Sequence, residues 1–132
     1  MFFACNFKLD FLQNDIFENV ITNQLKNHTM SFTGNENHDI PLAMAAEWTK
    51  NYRNATPNGT KAHFFGKEAI LAILAQEDCV GIRIYYAKDD AGAKQLIVVG
   101  ANAAENDLYQ GLIAERSNPC PSSCSAANPL NT

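Results

Sequence analysis

The chain has 132 residues, of which 46% are hydrophobic and 18% charged, and its formal net charge is -4. A chain of this size can bury a core without disulfides or metals to hold it, and the composition is that of a globular protein. The acidic balance argues against nucleic acid or anionic lipid as a partner of the whole molecule. No apolar run approaches the roughly 20 residues that span a bilayer.

The opening "MFFACNFKLDFLQ" is aromatic but is not a signal peptide, because it lacks a basic start and Asn6, Lys8 and Asp10 interrupt the apolar run. A cytoplasmic protein is expected, in which the N-x-T sites at Asn27, Asn54 and Asn58 carry no glycan. "NDIFENVITNQLKNH" reads as a helix with Ile16, Phe17, Val20 and Leu25 inward, and the polar "TMSFTGNENHD" follows as a linker. Residues 1–29 are therefore either a peripheral extension, with Met30 a sufficient start, or a helix packed on the domain. Residues 30–38 form the linker, 39–118 the α+β domain and 119–132 an irregular tail.

"DIPLAMAAEWTKNYRNA" predicts a helix with Asp39 as its cap and Pro41 in its first turn. Ile40, Met44, Trp48 and Tyr52 recur every fourth residue as one apolar stripe, with Lys50 and Arg53 off it. "TPNGTK" is a loop. "GKEAILAILAQED" predicts a second helix, apolar all round at Ile70, Leu71, Ile73 and Leu74, and so central to the core.

"CVGIRIYYA" alternates, with Val80, Ile82, Ile84 and Tyr86 on one face and Arg83 and Tyr85 on the other. "KDDAGAK" turns the chain through Gly92 into "QLIVVGAN", an apolar strand covered on both faces. "DLYQGLIAER" is a third strand or a short helix, the latter weakened by Gly111. The expected fold is α+β: two helices on a small antiparallel sheet built around a hairpin over residues 80–100.

The segments "IPLAMAAEWTKNYR", "HFFGKEAILAILAQEDCVGIRIYYA", "KQLIVVGAN", "NDLYQGLIAERSNPCPSSC" and "NPLN" resemble a group of short bacterial proteins of unknown function, mainly from Bacteroidota. The likeness runs from about residue 30 to the end and leaves residues 1–29 outside it. It implies a small single domain and assigns no activity to any residue.

Two sets of residues remain as candidate sites. Cys120 and Cys124 have a spacing that suits half a zinc site, with Cys79 and His63 as the ligands that the fold would have to add. The same pair suits a disulfide if Pro121–Ser123 turns tightly, and otherwise Cys120 is a small buried hydrophobe and Cys124 a free thiol. No second close pair exists, so zinc is the one cofactor the spacing admits and none is expected. Cys79 follows Asp78, whose carboxylate discourages the thiolate, and His63 between Ala62 and Phe64 suits a hydrogen-bonded residue at the core edge.

The second set is basic and aromatic. Lys50, Arg53, Lys61 and Lys67 have no Asp or Glu between them, and Trp48 and Tyr52 lie beside them. Such a mixture grips an anion or stacks on a base, and equally forms an ordinary solvated face. No Ser-His-Asp order, P-loop or dinucleotide fingerprint is present. A protein-binding module is expected, acting through a sheet edge or the cysteine-bearing tail, with neither nucleic acid nor membrane as partner.

Overall fold

The computed structural model describes residues 31–132, and the helix expected around Ile16, Phe17, Val20 and Leu25 lies outside them. The elements follow in the order α1 (Leu42–Ala55), β1 (Ala62–Phe64), α2 (Lys67–Leu74), β2 (Cys79–Lys88), β3 (Lys94–Asn102), β4 (Ile113–Ala114) and β5 (Asn118–Cys120). The fold is α+β. One antiparallel sheet has the order β2-β3-β4, and a second pairs β1 with β5. Phe32–Thr132 makes up one compact unit.

Helix α1 is rich in good helix formers and has neither glycine nor proline inside it. Its cap differs from the expectation. Proline disfavours helical backbone in the residue before it, and Ile40 lies outside the helix. Pro41 becomes the N-cap, without a side-chain cap, and Asp39 is left upstream, its N–H bound to Asn37 Oδ1. The stripe Ile40, Met44, Trp48 and Tyr52 is present and exposed.

Helix α2 is shorter than the apolar run suggests, and its place in the core is narrower. Only Ile73 is buried, 1% exposed, while Leu71 and Leu74 remain 46% and 41% exposed. Eight residues make only about two turns, so one face alone can meet the sheet. That face lies against β2, β3 and β4. Gln76, just past the helix, ties it down: its Nε2 donates to Ile73 O at 2.9 Å, and its Oε1 accepts from the Leu112 N–H at 2.7 Å.

The hairpin follows the sequence closely. Lys88 pairs with Lys94 and Arg83 with Val99, and a bulge interrupts the register between Cys79 and Gly81. Gly92 has φ +82°, a left-handed conformation that costs glycine little. Asp89 organises the loop by accepting from the Ala91 and Ala93 N–H groups and from Gln95 Nε2. These bonds, with Gln95 the largest contributor, hold its carboxyl below the ordinary value. The continuous apolar run of β3 supplies most of the core: Val98, Val99 and Ala101 are buried. The third segment resolves as a strand, where Ala114 pairs with Val98 and Ile113 with Val99.

The β1–β5 pair was not legible as strands. His63 lies opposite Pro119 and Ala62 opposite Cys120. The start of the segment read as an irregular tail is thus regular structure, with Cys120 5% exposed. Beyond it the chain turns repeatedly on its own asparagines, as where Asn128 Oδ1 accepts from the Leu130 N–H.

Candidate binding surface: the open edge of the sheet

Among the described residues, strand β2 is an edge strand, paired with β3 on one side only. In an antiparallel ladder, alternate residues aim their backbone groups at the partner strand. The Asp89 N–H donates to Ala93 O at 3.0 Å and Ala87 faces Gln95, so the odd-numbered residues of β2 point at β3. Ile82, Ile84 and Tyr86 therefore turn their N–H and C=O groups outward. Among the described residues, no hydrogen bond meets these groups.

Among the described residues, the edge is closed at one end and open along the rest. Gly34, with φ +78°, approaches so closely that a Cβ there would stand 2.6 Å from Val80 O. Phe32, just before it, receives the Arg83 guanidinium over its ring at 5.5 Å. From Ile82 onward the side chains are exposed: 40% for Ile82, 48% for Ile84 and 95% for Tyr86. Natural edges are usually blunted by charges, prolines or bulges. Here the bulge lies at Cys79–Gly81 and the first exposed charge of the edge is Lys88, which leaves an apolar stretch between them.

The opposite face of β2 carries a polar network. Arg83 Nη1 contacts Asp107 Oδ1 at 2.5 Å and its Nη2 donates to Glu105 O at 3.1 Å. The Tyr85 hydroxyl donates to Asp107 Oδ2. Tyr85 and Asp107 together favour the charged guanidinium, with Tyr85 the larger contributor. This network braces one face of the strand and, among the described residues, leaves its outer backbone without a partner.

The two candidate sets fall elsewhere. Cys120 and Cys124 form a disulfide with Cα atoms 4.7 Å apart. Cys79 does not join them: it belongs to the other sheet, where its Sγ donates to Gly81 O at 3.2 Å. His63 lies next to the pair through β1, but its Nδ1 is bonded to Ser117 Oγ at 2.8 Å. Among the described residues, no group of three or more His, Cys, Asp or Glu side chains is placed to hold a metal.

The basic set also disperses. Arg53 turns to the C-terminus, donating to Leu130 O and to Thr132 O. Lys50, Lys67 and Trp48 are exposed, and none of them lines the cavity that Lys61 lines. Lys61 and Tyr52 do meet, at a cavity beside the hairpin. Sequence reasoning missed the other cations there, Lys88 and Lys94, because they are far along the chain and reach the cavity only through the hairpin. No helix of the described residues is long and apolar enough to cross a membrane. No family model, curated protein or solved structure matches the chain.

Proposed function

We propose that this chain is a small protein-binding module that takes up an extended partner segment as a further strand along β2. The observation that carries the reading is the set Ile82, Ile84 and Tyr86, whose outward backbone groups are unpaired among the described residues and whose side chains are exposed. Strand addition supplies main-chain hydrogen bonds for affinity and alternate side-chain contacts for selectivity. The partner it suits is an extended segment with β-branched or aromatic residues facing Ile82, Ile84 and Tyr86 and an acidic residue near Lys88. We place the protein in the cytoplasm and regard its partner as a protein, not nucleic acid or membrane.

Ile84→Pro tests this directly. The Ile84 N–H points away from β3, so proline removes no bond of the existing ladder yet bars pairing on the open side. Wild type and variant are used as baits in extract of the native host, and the retained proteins are compared. Partners retained by wild type and lost with a folded Ile84→Pro variant support strand addition. Equal retention by both overturns it.

A thiol–disulfide role is a second reading, favoured by the bond between buried Cys120 and exposed Cys124. In a reducing cytoplasm such a bond is characteristically transient. Its reduction potential, measured against glutathione, tests that reading. A value near the glutathione poise supports reversible use, and a bond that resists reduction makes it structural.

A further inference from the structure

We propose that the cavity between the end of the hairpin and the C-terminal turn of α1, which lies beside the strand edge and shares Tyr86 and Lys88 with it, binds a small organic anion with an aromatic or aliphatic body. The cavity has a volume of about 630 Å³, within the roughly 300–1,000 Å³ of small-molecule sites. Its chemistry is one-sided. Lys61, Lys88 and Lys94 line it together with Tyr52 and Tyr86, and among the described residues no Asp or Glu does. Ala62, Ala87 and Leu96 supply apolar lining between them.

The three cations are not equivalent. Lys94 Nζ donates to the Tyr52 hydroxyl at 2.7 Å and lies 4.8 Å from the ring centroid, which braces one wall. Tyr52 is held in turn by donating its own hydroxyl to Thr60 O at 3.1 Å. The ammonium groups of Lys61 and Lys88 have no hydrogen-bonding or ion-pair partner among the described residues. The carboxylate of Asp89, next to Lys88, is turned back into its own loop by bonds to Ala91, Ala93 and Gln95. Two lysines whose ammonium groups have no partner among the described residues thus line an apolar, aromatic cavity in a molecule of net charge -4.

That pattern selects for an anionic head group on an apolar body. A polar anion alone would gain nothing from Leu96 and the tyrosine rings, and a neutral aromatic nothing from the lysines. Carboxylates and phosphate monoesters share the required chemistry, and the probes separate the contributions of head and body. Full-length protein is titrated with 2-naphthoate, with neutral 2-naphthamide and with inorganic phosphate, while backbone amide shifts are followed by NMR.

The expected result is saturable 2-naphthoate binding with shifts centred on Ala62, Ala87 and Leu96, and affinity at least about tenfold above that of 2-naphthamide. Raising the salt concentration weakens the binding, because these charges are exposed. A Lys61→Met/Lys88→Met double variant, which removes no internal bond, loses about fivefold or more while keeping its fold. Equal affinity for acid and amide overturns the proposal. So do phosphate binding as tight as naphthoate binding, shifts centred on the Met44–Trp48 stripe, and unchanged affinity in the folded double variant.

Discussion

Arg53 Nη1 donates to the carbonyl of Leu130 at 2.6 Å, so that a residue of the first helix holds the last turn of the chain. The same guanidinium also reaches the Thr132 carbonyl. Arg53→Ala should release Asn128–Thr132 without unfolding the domain, because the bonds are exposed and about 1 kcal/mol each is the usual scale. Hydrogen exchange at the Asn131 and Thr132 amides would rise, while that at Val98 would not. Unchanged tail protection would assign the anchoring to the asparagine turns alone.

Replacing both Cys120 and Cys124 by serine should leave a folded protein that is less stable by about 2 kcal/mol, the chain-entropy value for so short a loop. The surrounding bonds persist without the sulfur bridge: the Lys61 N–H donates to Cys120 O at 2.7 Å, and the Ser123 N–H to Pro119 O at 2.9 Å. Denaturant unfolding of wild type and variant measures the difference. Complete loss of folding would make the bridge indispensable.

Truncating Ile73 to alanine should cost about 2–5 kcal/mol, the range for a buried aliphatic residue. Leu74→Ala should cost only about 1 kcal/mol, because a large part of that side chain is already in water. Parallel denaturant titrations decide whether the neighbours differ. Similar losses would mean that α2 is enclosed on more sides than the sheet provides.

Glu36 gives the clearest pH dependence. The Thr33 N–H donates to its Oε1 at 2.6 Å and the Thr33 hydroxyl at 3.0 Å. These bonds, the backbone one foremost, lower its pKa from the ordinary 4.5 to about 2. A carboxyl whose folded value is depressed stabilises the fold fully above its unfolded pKa, and this contribution disappears as pH falls through the folded one. The turn that carries Gly34 to the β2 edge should therefore hold above pH 4.5 and loosen progressively down to about pH 2. NMR titration of the Glu36 carboxyl and the Thr33 amide checks this, and Glu36→Gln should abolish the transition.

The hairpin was readable because local rules and tertiary needs coincide there. Alternation in β2, a glycine at the turn and a continuous apolar β3 all specify the same structure. Helix α2 was readable as a helix but not in depth, because Ile70, Leu71, Ile73 and Leu74 look alike in sequence and only the sheet's position selects Ile73. The β1–β5 pair escaped because three-residue strands carry almost no periodic signal and Pro119 argues against a strand. Of the binding features, the alternating face of β2 was visible, whereas its open side depends on which strands flank it. The cations of the cavity come from two separate segments, and no spacing rule connects Lys61 to Lys88 and Lys94.

The pairing of Ala62 with Cys120 has a consequence for how the molecule is made. The sheet β2-β3-β4 links neighbours in chain order, so it can assemble as each strand leaves the ribosome. Strand β1 emerges before all of them and must wait, its backbone unpaired, until β5 has been synthesised. Closing that long loop carries an entropic cost which only a preformed sheet reduces, by holding the two ends near each other. The short ribbon is therefore a clasp fastened last, and a released chain ending before Asn118 would hold the hairpin but leave β1 without its partner.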